Sequence, residues 1–305
     1  MRIFENASYD FIGKRRTAYI VSGTLLALSL FGLITRGLET GIDFQGGTEF
    51  VVETGEALSV PGVREALTSA FGIQPEVKTY DSDRTLLIRT TAGGDDIDQL
   101  QATLENGITS AFPQAAPNVV KIDSVGPRFA DDLKRGAFYA VIASLFVIFV
   151  YIMLRFEWRF SAGAVVALTH DVIITLGIFS LFHHLLPFSL QIDQAIIAAL
   201  LTIVGYSLND TVVVFDRIRE YANLFKTEPY AAVVDRSINS TLSRTLVTSG
   251  TTLIVVITLF IFGGEVLRGF AFALIVGIVI GTYSSIFVAS PVLVELKERA
   301  LAAKQ

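Results

Sequence analysis

The sequence predicts a polytopic α-helical membrane protein: six transmembrane helices, with a ferredoxin-like α+β domain outside the membrane between the first and the second. Three observations lead there. Six apolar runs of 18 or more residues occur along the chain, and a bilayer core of about 30 Å takes about 20 residues of helix to cross. Charge is concentrated in one block: residues 36–135 hold 9 Lys/Arg and 16 Asp/Glu, while the other 205 positions share 28 charges. Inside that block the hydrophobic pattern reads strand, helix, two strands, helix, strand, the order of a split βαβ domain.

Composition narrows the function. Hydrophobic residues make up 52% of the 305 and charged residues 17%, against about 25% charged in soluble domains, so the chain is neither an ordinary soluble enzyme nor disordered. It has no cysteine, which excludes a disulfide framework, a thiolate zinc site and an iron–sulfur centre. The net charge of −5 comes without a basic stripe, so nucleic acid is excluded as a partner. His170, His183 and His184 form no metal-binding spacing, and no cofactor is expected.

The elements follow in order. Residues 1–17 form a cytoplasmic segment, and Ala18–Thr35 is the first span. Lys14-Arg15-Arg16 in front of it resembles a signal-peptide n-region. The apolar run is too long for a usual h-region and no small-x-small site follows, so an uncleaved anchor is expected. Residues 36–135 are the outer domain. Thr48–Glu53 alternates as a strand. Val60–Phe71 has helical spacing, with Pro61 in its first turn. Glu76–Tyr80 and Thr85–Thr90 are strands around Asp81-Ser82-Asp83. Asp95–Phe112 is a helix with Ile97, Leu100, Leu104 and Ile108 on one face, and Val119–Asp123 closes as a strand. About 80 residues suffice for a small core, and no catalytic cluster is visible in it.

The remaining spans are 136–154, 160–186, 191–215, 245–264 and 269–294, with 295–305 as a cytoplasmic tail. Basic residues alternate across the loops. The N-terminal segment has Arg2, Lys14, Arg15 and Arg16, and the loop after the second span has Arg155 and Arg159. The loop after the fourth has Arg217, Arg219, Lys226, Arg236 and Arg244, and the tail has Lys297, Arg299 and Lys304. The loop after the third span has none, and that after the fifth has Arg268. This places both termini in the cytoplasm; Lys134 and Arg135 fall on the outer side, where a long loop crosses largely regardless of charge.

Ionisable groups at bilayer depth cost at least about 2.5–3.5 kcal/mol and usually face protein or water, so each needs a reason. Asp210 lies near the cytoplasmic end of the fourth span. At 100° per residue, Thr202, Gly205, Tyr206, Asn209, Asp210 and Asp216 fall within an arc of about 140°, a polar stripe on an apolar helix. One reading is helix–helix glue by hydrogen bonding. The other is ion binding: a low-dielectric site favours the neutral form of a carboxyl and lets it take up and release a proton. In the fifth span Thr241, Thr245, Thr248 and Thr252 recur as a hydroxyl stripe, readable as packing or as part of the same polar path. Arg244 stands at its mouth, either an ordinary positive-inside anchor or the counter-charge of Asp210. Asp171, with His170, lies about ten residues inside the third span. It reads as a second group on a proton path or as a structural partner. Asp193 reads as interfacial, and His183 and His184 as solvated. Asp216-Arg217 with Arg219-Glu220 reads as a surface ion-pair cluster at the cytoplasmic boundary. Ala273, Gly277, Gly281, Ser285 and Ala289 give the sixth span a small-xxx-small face for close packing, within this chain or against another.

These residues carry a resemblance. Gly41-Ile42-Asp43-Phe44-Gln45-Gly46-Gly47-Thr48 resembles the entry motif of the SecD/SecF family of protein-export membrane proteins. The run Gly205-Tyr206-Ser207-Leu208-Asn209-Asp210-Thr211-Val212-Val213-Val214-Phe215-Asp216-Arg217-Ile218-Arg219-Glu220 is similar to the signature of its SecF branch. Phe11-Ile12-Gly13-Lys14-Arg15, His170-Asp171 and Leu242-Ser243-Arg244-Thr245-Leu246 fit as well; at Leu208 isoleucine is commoner. The resemblance covers nearly the whole chain. It implies a non-enzymatic subunit of the bacterial inner membrane that pairs with SecD in a resistance-nodulation-division-like arrangement. It further implies association with the SecYEG channel and YajC, and use of the proton motive force to draw an unfolded polypeptide outward after the SecA ATPase has pushed it in. By position, Asp210 and Arg244 match the family's proton-path aspartate and arginine, and Asn209, Asp171 and Asp216 complete the expected relay. Two other classes stay open on the residues alone: half of a proton-driven transporter for small molecules or lipids, and a purely structural scaffold for SecD. A lone well-placed aspartate without a catalytic mate does not support an intramembrane protease.

Overall fold

The computed structural model describes residues 8–91, 96–183, 185–186 and 188–303; the readings made for Arg2, Asp95, His184 and Lys304 fall outside them. The chain divides into two compact units, residues 1–39 with 139–305, and residues 40–138.

After a first long helix, α1 (Arg15–Thr35), the smaller unit opens with a single helical turn, α2 (Ile42–Gln45). It continues through β1 (Gly47–Glu53), α3 (Val60–Phe71), β2 (Glu76–Tyr80), β3 (Ser82–Thr90), α4 (Ile97–Ala111) and β4 (Asn118–Val125). The strands form one sheet in the order β2-β3-β1-β4, and every neighbouring pair is antiparallel. Alternation puts Phe50, Val52, Leu86 and Ile88 on one face, where they meet Val63 and Leu67 of α3 and Leu104 and Ile108 of α4; all eight are buried. Helix α4 starts where Asp96 accepts a hydrogen bond from the Gln99 N–H (3.1 Å), a side-chain N-cap. The turn into β1 needs its two glycines. Gly46 and Gly47 have φ of 75° and 122°, and a Cβ on Gly47 would stand 2.7 Å from the Thr90 carbonyl oxygen.

The larger unit holds α1, the later part of α5 (Pro127–Arg155), α6 (Trp158–Phe182), α7 (Gln194–Leu224), α8 (Tyr230–Phe262) and α9 (Gly264–Ser284). A π-helical turn (Ser285–Ala289) then leads into α10 (Ser290–Ala302). Among the described residues, six helices are long and apolar enough to cross a membrane, α9 and α10 counting as one continuous run. Helices α7 and α8 continue well past the apolar runs that announce them. With 33 residues, α8 is about 50 Å long, longer than a hydrocarbon core of about 30 Å. Its first turns are amphipathic rather than apolar: Val233, Val234, Ile238 and Leu242 are buried against Phe215, Ile218, Leu293 and Val294. In contrast α5 buries little: Ile152 enters the bundle core, while Phe146, Val147, Tyr151 and Leu154 are exposed.

Close helix contacts rest on small residues. Ser29 of α1 meets Gly177 of α6, where a Cβ would come within 2.2 Å of the serine Cβ, and Gly277 of α9 receives Ile203 of α7. The small-residue face of α9 therefore packs within this chain, on α7, which answers the choice the sequence left open.

Candidate functional site: two buried carboxylates in the helix bundle

Asp210 projects from the middle of α7 and is 4% exposed. Ser249 of α8 donates to its Oδ2 (3.1 Å), and Thr282 of α9 donates to the Ser249 oxygen (2.8 Å). Arg244, one turn and a half before Ser249, is exposed and makes no ion pair among the described residues. The position beside the carboxylate belongs to Ser249. The hydroxyl row that turns inward on α8 is Thr241, Thr245 and Ser249, all buried, while Thr248 is exposed. Ser249 was legible as the next member of an i, i+4 row; its type, common in any helix, hid it.

The polar stripe of α7 splits in two. Asp210 is buried and Tyr206 half-buried, whereas Thr202, Gly205, Asn209 and Asp216 are exposed. Asn209 thus looks away from the bundle that Asp210 enters. Asp216 sits at the end of the stripe in a long, exposed ion pair with Arg155 (3.6 Å), next to Arg217–Glu220 (2.9 Å); exposed pairs of this kind contribute about 0–1 kcal/mol. Together with Arg244 and Thr248, these groups give α7 and α8 a polar face that the chain's own helices leave uncovered.

Asp171 of α6 is the more deeply buried acid, 1% exposed. Three side chains from three helices hydrogen-bond it. His170 Nδ1 lies 2.9 Å from Oδ1, and Oδ2 accepts from Ser207 of α7 (2.7 Å) and from Ser284 of α9 (2.8 Å). The Nε2 of His170 is buried without a hydrogen-bond partner among the described residues, and its ring stacks on Tyr283 at 6.3 Å. Tyr283 in turn donates to the Ala18 carbonyl of α1 (3.1 Å). Ser207 and Ser284 were not anticipated. Nothing in their spacing marks them, because their role exists only once α6, α7 and α9 meet.

Two outer groups have defined tasks. Asp193 caps α7, accepting from the Ile196 N–H (2.8 Å). His183 is buried, not solvated: its Nε2 contacts the Glu39 carboxylate, which also accepts from Gln191 (2.8 Å), while the Glu39 carbonyl accepts from the Ile192 N–H (2.8 Å). A position just past a helix end suggested water; Glu39, which the 189–192 segment also bonds, meets it instead.

A bundle of apolar helices that buries carboxylates among hydroxyls, with a small antiparallel-sheet unit inserted after the first helix, defines a multi-pass membrane protein with polar chemistry inside its transmembrane part. The protein-family model for the protein export membrane protein SecD/SecF, C-terminal region, matches residues 106–299. The SecD/SecF GG motif model matches residues 31–57, the stretch that contains Gly46 and Gly47. The chain is 64% identical over 305 residues to protein translocase subunit SecF of Rhodothermus marinus, covering 100% of this chain and 98% of that one. It is 39% identical over 290 residues to the SecF subunit of Escherichia coli O157:H7, covering 94% of this chain and 88% of that one. Among solved structures, SecDF from Thermus thermophilus, a translocon-associated membrane protein, matches with a TM-score of 0.85 at 38% identity; the match covers 98% of this chain and 40% of the SecDF chain. The chain belongs to the SecD/SecF family of protein-export membrane proteins.

Proposed function

We propose that this chain is a SecF-type subunit that works with a SecD-type partner to convert the proton motive force into outward movement of an exported polypeptide. One observation carries the reading: an ionisable carboxylate, Asp210, is buried in a bundle of apolar helices with a hydroxyl pair beside it and an uncovered polar face next to it. Such groups are costly in lipid and usually mark ion paths or covered interfaces. The partner's helices cover the face formed by Thr202, Asn209, Arg244 and Thr248. Protons reach Asp210 along that interface, with Asn209 and Asp216 on the approach and Arg244 as the fixed counter-charge. Neutralising Asp210 changes its interaction with Arg244 and Ser249, and the packing of α7 on α8 responds. One charge crossing 100 mV supplies about 2.3 kcal/mol, enough to shift two helix packings that differ by a few kcal/mol.

In this reading all six apolar helices span the bacterial inner membrane, both termini lie in the cytoplasm, and the 40–138 unit is a ferredoxin-like domain on the outer side. The sheet order β2-β3-β1-β4 with all pairs antiparallel supports that assignment. The domain receives the unfolded chain leaving the SecYEG channel, with YajC in the same assembly. The test is export from inverted membrane vesicles with the proton gradient imposed or collapsed. The Asp210→Asn variant is expected to assemble with its partner and to lose the gradient-dependent part of export; normal export from that variant overturns the reading.

A further inference from the structure

Asp171 invites assignment as a second station on the proton path, and the geometry points elsewhere. Both of its oxygens are already engaged, by partners from α6, α7 and α9. Thr282, which faces the Asp210 side of α9, and Ser284, which faces Asp171, are two residues apart, so they point about 200° apart around that helix. The two carboxylates therefore stand on different flanks of α9, and no hydrogen bond among the described residues joins them.

What Asp171 does connect is the frame around Asp210. Ser207 is three residues before Asp210 on α7, and Ser284 is two residues after Thr282 on α9. A single oxygen, Asp171 Oδ2, accepts from both serines at 2.7 and 2.8 Å, so it fixes the axial register of α7 against α9. That shared contact is possible only because the helices touch there: a Cβ on Gly281 would stand 2.9 Å from the Ser207 Cβ. Immediately beyond Ser284 the backbone opens into the π-helical turn Ser285–Ala289, where Ser290 donates to the Ser285 carbonyl (2.9 Å). Such turns reset the angular phase of a helix and are frequent at functional positions. Here the turn lets Ser284 face Asp171 while Leu293 and Val294 of α10 stay in the bundle core.

We propose that Asp171 is a positioning residue, a three-helix clamp that holds α7 and α9 in the register that brings the Ser249–Thr282 hydroxyl pair to Asp210. The proposal rests on the reading of Asp210 as the ion-binding group. It requires the hydrogen-bonding shape of Asp171 and not its titration. An asparagine keeps that shape: its oxygen accepts from Ser207 and Ser284, and its amide donates to His170 Nδ1 in the other tautomer.

The test compares Asp171→Asn, Asp171→Leu, the double variant Ser207→Ala with Ser284→Ala, and Asp210→Asn for gradient-driven export from vesicles. Register is read separately, without a gradient, as the disulfide yield of Ile203→Cys on α7 paired with Gly277→Cys on α9, two positions in direct contact, introduced into each Asp171 and serine background. Asp171→Asn is expected to retain about half or more of wild-type export and full disulfide yield. The double serine variant, which keeps the carboxyl group and removes only two hydroxyls, is expected to lose export about fivefold or more, the scale of two net hydrogen bonds, and to lose disulfide yield with it. Loss of export in Asp171→Asn as complete as in Asp210→Asn, with disulfide yield intact, makes Asp171 a titrating relay and overturns the clamp. Unchanged export and yield in the double serine variant overturn it as well. Normal export from Asp210→Asn removes the ion-binding reading alone; the disulfide yields still decide whether the clamp exists.

Discussion

Gly277→Ala tests the helix contact on which both carboxylate sites depend. A Cβ at residue 277 would lie 2.3, 2.4 and 2.7 Å from three carbons of Ile203. Carbon pairs settle at about 3.5–4.0 Å, so α7 and α9 must separate by about 1 Å or Ile203 must leave its place. A separation of that size stretches the bonds of Ser207 and Ser284 to Asp171, now 2.7 and 2.8 Å, past hydrogen-bonding range. Overpacking costs about 1–3 kcal/mol, and loosening the two serine hydrogen bonds to Asp171 adds about 0.5–1.5 kcal/mol for each bond lost. The expected loss is therefore about 2–6 kcal/mol. The assay is reversible unfolding in mixed detergent micelles, run as a double-mutant cycle with Ile203→Ala. That second substitution deletes the three carbons that clash and opens a cavity that the alanine at 277 fills. The pair is expected to be more stable than the sum of the single changes by about 1–3 kcal/mol. Additive effects in the cycle, or a neutral Gly277→Ala, show that the helices do not meet at these two residues.

Four further substitutions concern the rest of the chain. Gly47→Ala forces a side chain into a φ of 122° and against the Thr90 carbonyl; it is expected to destabilise the 40–138 unit by about 1–3 kcal/mol, read as faster limited proteolysis there with the bundle left intact. Ile108→Ala empties a fully buried position under the sheet and is expected to cost about 2–4 kcal/mol in the same assay, whereas Asp96→Ala removes only the N-cap of α4 and is expected to cost about 1 kcal/mol. Replacing Glu39 by Leu leaves His183 and Gln191 without their shared acceptor and is expected to raise amide hydrogen exchange across residues 189–192; unchanged exchange there refutes a structural role for that contact.

Legibility in the sequence followed the range of the forces involved. Local and one-dimensional signals were enough for the apolar runs, the alternation of Phe50 and Val52, and the helical spacing of Leu104 and Ile108. They were enough for Asp210 too, because an acid in an apolar run is conspicuous wherever the helix packs. The ends of α7 and α8 were not legible, since apolarity marks what lies in lipid, while residues such as Val233 and Ile238 are held by packing on other helices. Ser207 and Ser284 were silent for a related reason: a serine in a helix carries no signal until a carboxylate from another helix meets it. Arg244 shows the converse. Its charge and depth pointed to Asp210, yet an exposed guanidinium on the uncovered face of α8 and a buried serine one turn on divide what looked like a single role.

Proton movement through the reconstituted chain with its SecD-type partner, followed by a pH-sensitive dye inside liposomes under an imposed gradient, bears most directly on Asp210. Wild type is expected to carry protons and Asp210→Asn to carry none, with equal amounts of both complexes in the membrane. Equal proton flux from the two complexes contradicts the account.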